Sequence, residues 1–149
     1  MNQAYQIARN LEKVVFEVAG PKDNYFILWC LSICDVPEPL HDEIPWCSAG
    51  MNGVCLLGKC ERSKSAMARS WMTVGVEVKW EEAQEGDIVV MKRGGKDEPG
   101  REVKNAPGHV CFWVKRLSPT LFVGYGGNQK DKFCEMPFDK ERILTIRRV

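Results

Sequence analysis

Cys47 is the residue of this chain with the clearest local reason to be reactive. It follows Pro45-Trp46 and precedes small residues, after which Met51 and Val54 recur at helical spacing. Because proline ends the segment before it, the pattern predicts a helix that begins near Cys47 and stops at Gly58. The unpaired N–H groups of a first turn and the helix macrodipole stabilise a thiolate. Cys47 is therefore a candidate nucleophile.

A nucleophilic thiol needs a base, and the chain contains two histidines. His109 opens an apolar run over 109–114 that is typical of a strand, and a second run over 121–126 leads into Gly-Gly-Asn-Gln. If these strands form an antiparallel hairpin, Asn128 returns beside His109, where its amide can accept the imidazole N–H. The pattern predicts a site in which Cys47 attacks, His109 acts as base and Asn128 orients the ring.

The elements that must position these residues change in type midway along the chain. Apolar periodicity predicts helices over 3–18, 24–34, 47–57 and 66–72, and then strands over 88–91, 109–114, 121–125 and 143–147. A polar, glycine-rich stretch over 93–105 is predicted to be an exposed loop. Helices followed by strands predict one α+β domain over residues 1–149, with N-terminal helices packed on a C-terminal antiparallel sheet.

Composition limits the classes of function. The chain has 149 residues, of which 44% are hydrophobic and 28% charged, as in an ordinary globular domain. A formal net charge of +1 gives no argument for a nucleic-acid partner. We find no signal peptide and no apolar run long enough to span a membrane. We therefore expect a monomer that is made in the cytoplasm and does not insert into a membrane.

The seven cysteines allow a different interpretation. The odd number and the absent signal disfavour a disulfide framework. Cys30-x₃-Cys34 and Cys55-x₄-Cys60 come close to zinc-ligand spacing, so a zinc-stapled binding module without activity is the alternative. However, Cys30 and Cys34 lie in an apolar, helix-like run, where cysteine packs as a small hydrophobic residue. We expect no metal and no cofactor.

A set of motifs also resembles a known family. In order they are Asp42-Glu-Ile-Pro-Trp-Cys-Ser-Ala49, Ser65-Ala-Met-Ala-Arg-Ser-Trp71, Gly86-Asp-Ile-Val-Val90, Gly108-His-Val110 and Gly126-Gly-Asn-Gln129. Together they are similar to the CHAP/NlpC-type cell-wall amidohydrolases, and more narrowly to a small phage-associated group. The resemblance covers about residues 15 to 149.

The resemblance implies a papain-like α+β fold and hydrolysis of an amide bond in the peptide part of peptidoglycan. Cys47 would be the nucleophile, His109 the base and acid, and Asn128 the polar third residue. Many members carry a glutamate two positions before such an asparagine, where this chain has Gly126. No calcium loop is present. Whether the enzyme cleaves as an amidase or as an endopeptidase stays open.

Further roles follow from the same resemblance. Four residues are candidates to bind substrate: Glu43, Trp46, Trp71 and Gln129. Core packing is the alternative for both tryptophans. The biological setting would be a phage endolysin, held in the host cytoplasm until it is released to bacterial peptidoglycan. An antibacterial effector with the same chemistry, or an inactive phage structural part with this fold, are the other possibilities.

Overall fold

The protein is an α+β structure in which the helices come first. The computed structural model describes residues 2–149, so that Met1 of the expected 1–149 domain lies outside the described residues. The helices are α1 (Gln3–Leu11), α2 (Tyr25–Ser32) and α3 (Cys47–Leu57), with 3₁₀ helices at Ala68–Thr73, Trp80–Glu82 and Lys140–Arg142. No helix among these residues has the length and apolar character needed to cross a membrane.

The C-terminal part forms one antiparallel sheet. Its strands are β1 (Val76–Val78), β2 (Ile88–Lys92), β3 (Gly108–Arg116), β4 (Leu121–Gln129), β5 (Lys132–Asp139) and β6 (Ile143–Arg148). They lie in the order β1-β6-β2-β3-β4-β5, and each neighbouring pair is antiparallel. The predicted fold class, with N-terminal helices and a C-terminal antiparallel sheet, is confirmed.

Helix α3 lies at the centre of the helical layer. It contacts α1, α2, β3 and β4, and its residues from Cys47 to Cys55 are all buried. Gly53 allows the close approach of α2, because a Cβ atom there would lie 2.4 Å from Cys30 Sγ. The helix that carries Cys47 is therefore held on several sides.

Both faces of the sheet are covered by apolar side chains. Because side chains alternate along a strand, Val90 and Val110 pack in the same cluster as the helices, whereas Met91 and Cys111 belong to a second cluster with Trp80. Strand β3, which begins with Gly108 and His109, is thus supported on both sides.

Some element boundaries differ from those predicted. The first helix ends at Leu11 and not at residue 18, because the chain then runs beside the start of β5. There Phe16 forms a bridge with Lys132, and the Glu17 N–H donates to Asp131 O at 2.7 Å. The short helix predicted over 66–72 is a 3₁₀ helix over Ala68–Thr73.

Two strands were not predicted. Strand β5 contains Pro137, which argues against a central strand but is tolerated at a sheet edge, and β5 is an edge strand. Strand β1 has only three residues, too few for a period to be recognised.

Candidate active site

Cys47 is the first residue of α3, as the sequence predicts. The N-cap position is occupied by Trp46, which provides no side-chain hydrogen bond to the first turn. The N–H groups of Cys47 and Ser48 instead face the sulfur, without competition from an N-cap side chain. The Cys47 side chain is nearly covered, with 8% of the residue exposed.

The electrostatics of Cys47 differ from the expectation. Burial raises the pKa of the Cys47 thiol above its ordinary value. The backbone N–H groups of Val110, Ser48 and Cys47 and the guanidinium of Arg93 act in the opposite direction, but burial outweighs them. The expected thiolate stabilised by the helix start is thus not the resting state at neutral pH, where the sulfur is a protonated thiol.

His109 lies near the start of β3, also as predicted, and its ring has a fixed partner. Its Nε2 lies 2.9 Å from Oε1 of Gln129, a residue that is 3% exposed at the end of β4. The hairpin of β3 and β4 therefore returns an amide to the histidine, but the amide belongs to Gln129 and not to Asn128.

A backbone irregularity explains this correction. The pairing of β4 with β5 shifts between Gly126 and Gln129, and Asn128 adopts a left-handed conformation with φ of 57°. Such a bulge changes the face on which the following side chain lies. Asn128 consequently lies at the rim of a cavity that Cys47 also lines, while Gln129 turns inward to His109.

The hydrogen bonds of Gln129 determine the tautomer of His109. The amide Nε2 of Gln129 donates to Gly124 O at 3.3 Å and to Cys134 O at 2.5 Å, which identifies the other amide atom as the oxygen. An amide oxygen accepts only, so Nε2 of His109 must carry the proton. The lone pair of Nδ1 is left free to act as a base.

His109 is neutral over most of the pH range. Burial lowers its pKa from 6.5 to about 4, and the guanidinium groups of Arg142 and Arg93 contribute, while the bond to Gln129 opposes them. The second histidine, His41, is exposed and lies 3.7 Å from an Asp23 oxygen on another part of the surface.

Cys47 and His109 line the same cavity, which has a volume of about 280 Å³. Its other lining residues come from the loop after β2, the β4–β5 hairpin and the 3₁₀ helix before β6: Arg93, Asn128, Gln129, Lys130, Met136, Phe138 and Arg142. A buried thiol, a neutral imidazole with a fixed tautomer and N–H donors thus surround one accessible space. This arrangement can activate the thiol and stabilise a developing oxyanion.

No family model, curated protein or solved structure matches this chain. Functional inference therefore depends on its motifs and on the geometry of the Cys47 cavity.

Of the four residues predicted to bind substrate, Gln129 lines the cavity with Cys47 and His109, whereas Glu43, Trp46 and Trp71 lie outside it. Trp46 and Trp71 are fully buried, and their indole N–H groups donate to Glu17 Oε1 and to Ser48 Oγ, both at 3.0 Å. They are core residues that fix the start of α3. Glu43 is exposed in a different pocket, beside Asp42, and Gln129 contacts His109.

The remaining cysteines are not assembled into a metal site. All seven cysteines are free, and residues 2–149 contain no cluster of three or more side chains suited to hold a metal ion. Burial raises the pKa of the thiols of Cys30, Cys55 and Cys111, as expected for packing residues. The pairs considered as the zinc alternative, Cys30 with Cys34 and Cys55 with Cys60, do not form such a cluster.

Two arginines near the site were not predicted. Arg69 is 1% exposed, and its guanidinium donates to the carbonyls of Pro99, Gly100, Val103 and Pro107 at 2.6–3.0 Å. It thereby holds the long loop before β3. Arg93 lies beside Cys47. Nothing local in the sequence distinguishes either arginine from a surface residue. Arg69 bonds to main-chain carbonyls that are distant in sequence, and Arg93 lines a cavity formed by several elements.

Proposed function

We propose that this protein is a cysteine amidohydrolase that cleaves an amide bond in the peptide part of bacterial peptidoglycan. The observation that carries the proposal is the bond of the buried Gln129 amide to His109 Nε2, which leaves Nδ1 without a hydrogen-bond partner within residues 2–149, in a histidine that lines the same cavity as Cys47. A histidine used only for packing needs neither a fixed tautomer nor a place in the wall of a cavity that a thiol also lines.

The first half-reaction forms a thioester. Nδ1 of His109 takes the thiol proton of Cys47 as the sulfur attacks the amide carbonyl, which converts a neutral pair into a thiolate and an imidazolium. The oxyanion accepts hydrogen bonds from N–H groups at the start of α3. The imidazolium then gives its proton to the amine as the C–N bond breaks.

The second half-reaction releases the acid. His109 takes a proton from water, which attacks the thioester, and the carboxylic acid leaves as the proton returns to the sulfur. Gln129 holds the ring in one tautomer throughout, so that Nδ1 alone exchanges protons.

The choice of peptidoglycan depends on the motif resemblance, with Cys47, His109 and the Gly126–Gln129 segment as its central elements. The proposed setting is a phage endolysin present in the host cytoplasm before lysis. An antibacterial effector would use the same residues.

The test is digestion of purified sacculi, followed by mass spectrometry of the released muropeptides. Wild-type protein should release fragments with a new carboxyl and a new amine end, which also distinguishes an amidase from an endopeptidase. Cys47→Ala and His109→Ala should each abolish release, whereas Cys60→Ser, a cysteine outside the cavity, should leave it unchanged.

Two results would refute the proposal. One is that folded wild-type protein releases no muropeptides. The other is that Cys47→Ala retains the wild-type rate.

A further inference from the structure

Cys47 lies in a groove and not at the end of a single pocket. Cys47 and Arg93 line both the 280 Å³ cavity and a second cavity of about 260 Å³. The second cavity is formed by residues around Met67 and by the segment 105–108. A chain-like substrate can therefore lie across the sulfur, with a different part of it in each cavity.

The lining of this groove is positively charged. It includes the three basic residues Arg93, Lys130 and Arg142 and no aspartate or glutamate. None of the three forms an ion pair within residues 2–149. Since the whole chain has a formal net charge of only +1, this is a local concentration of positive charge.

The three basic side chains differ in whether hydrogen bonds within the protein hold them. Arg142 is fixed, because its guanidinium donates to Lys92 O and Arg93 O at 2.7–3.1 Å and lies 5.1 Å from the centre of the Phe138 ring. Arg93 and Lys130 are exposed, and neither side chain forms a hydrogen bond with another described residue. Their charged ends are available to a ligand.

We propose that the groove selects peptides that carry a free carboxylate next to the scissile amide, recognised by Arg93 and Lys130. This inference rests on the proposed amidohydrolase function and specifies its substrate. A guanidinium binds a carboxylate through two parallel N–H donors, and an ammonium group adds a second positive charge. The stem peptides of peptidoglycan contain such carboxylates, some of which are amidated in certain cell walls.

The same charges connect binding to catalysis. Arg142 and Arg93 help to keep the pKa of His109 near 4, where the ring is a weak base. A bound carboxylate offsets their charge, so that the imidazole takes the thiol proton more readily in the complex than in the free enzyme. An uncharged substrate lacks this effect.

The experiment compares sacculi before and after conversion of their carboxylates to carboxamides with carbodiimide and ammonia. Wild-type protein should digest untreated sacculi at least about tenfold faster, the smallest factor expected for loss of a charge-assisted contact. Arg93→Gln with Lys130→Gln should lower this ratio to near 1. Lys13→Gln, an exposed lysine outside both cavities, should keep the wild-type ratio.

The outcomes separate the two proposals. Equal rates on both sacculi, or a double variant that keeps the full preference, would overturn the carboxylate inference and leave the amidohydrolase function in place. No digestion of either preparation by wild-type protein would overturn both.

Discussion

Gln129 decides how His109 can act. Its amide is buried, donates to two main-chain carbonyls and accepts from the imidazole, so each of its hydrogen-bonding atoms is used. A buried network with every partner satisfied has one orientation. The electrostatics of the site complement this, since burial keeps both the Cys47 thiol and the His109 imidazole neutral; under the proposed mechanism, proton transfer would accompany the attack.

Gln129→Ala should therefore damage both catalysis and folding. We expect kcat to fall by about 100-fold, the lower range for loss of a correctly oriented base, and the free energy of unfolding to fall by about 3 kcal/mol as buried groups lose partners. Muropeptide release and urea unfolding measure the two effects. Nitrogen chemical shifts of His109 should report a mixture of tautomers.

Asn128→Gly is the matched control. Glycine tolerates the φ of 57° found there, so this variant removes only the amide at the rim of the pocket. Its kcat should stay within about twofold of wild type, a surface-like effect. If Asn128→Gly is as inactive as Gln129→Ala, the assignment of the orienting amide is wrong.

The sequence predicts the positions of Cys47 and His109 in their elements better than it predicts the amide that contacts His109. Proline, small residues and helical spacing place Cys47 at a helix start, and a glycine turn places His109 near a strand start. The orienting amide was assigned one residue too early, because a bulge between Gly126 and Gln129 cannot be recognised in the sequence.

At the scale of elements, one buried side chain holds the loop before β3 at four points. Arg69 is buried, and its guanidinium reaches four carbonyls between Pro99 and Pro107. The loop ends in the segment that walls the groove beside Cys47. Its polar, glycine-rich sequence predicts exposure correctly, but not that a distant residue holds it.

Arg69→Met should release this loop without emptying the space that the side chain fills. We expect trypsin to cut after Arg101 or Lys104 at least about tenfold faster, since local opening becomes cheaper. Global stability should fall by about 3 kcal/mol because four partly buried hydrogen bonds to main-chain carbonyls are lost. Timed digestion followed by mass spectrometry locates the cuts.

Glu77→Gln provides the comparison. Glu77 pairs with Arg101 of the same loop at 2.9 Å, but both side chains are about half exposed, and such pairs contribute little. Its cleavage rate should remain near that of wild type. Unchanged cleavage of Arg69→Met would show that the loop is held by other contacts.

The β4–β5 hairpin contains a strained lysine at the groove. Lys130 and Asp131 have φ of 53° and 60° between the paired residues Gln129 and Lys132. Two central residues with positive φ form a type I′ turn, which favours asparagine and glycine. A lysine in this conformation has a backbone cost that its position beside Cys47 and Arg93 can explain.

Lys130→Gly should separate stability from function. We expect it to raise the free energy of unfolding by about 0.5 kcal/mol, because relief of the left-handed strain exceeds the added freedom of the unfolded chain. Digestion of untreated sacculi should nevertheless slow. Lys130→Gln keeps the left-handed strain and removes the charge, so it should slow digestion without raising the free energy of unfolding. A Lys130→Gly variant that is less stable than wild type would contradict this account.

At the scale of the whole molecule, the order of elements was predictable and their lengths were not. The change from helical to strand periodicity predicts the α+β class. The first helix is predicted too long and β5 is not predicted, and both errors have one cause. The chain after Leu11 leaves the helix and runs beside the start of β5. Contacts between residues more than a hundred positions apart leave no local pattern.

Burial of His109 also makes the stability of the molecule depend on pH. The ring has a pKa of about 4 in the folded protein, against 6.5 in an exposed chain. Between these values the unfolded chain binds a proton that the folded protein does not, so stability falls as pH drops from 6.5 towards 4 and this contribution levels off below 4. The full effect is about 3 kcal/mol.

His109→Gln tests this contribution. Urea unfolding at pH 7 and at pH 4 gives the unfolding free energy of each protein. From pH 7 to pH 4, wild type should lose about 3 kcal/mol of stability relative to the variant. Proton NMR of the His109 ring gives the folded-state titration directly, with an expected midpoint near 4. A midpoint near 6.5 would mean that the imidazole is charged at mildly acidic pH, and the neutral resting pair of Cys47 and His109 would then have to be abandoned.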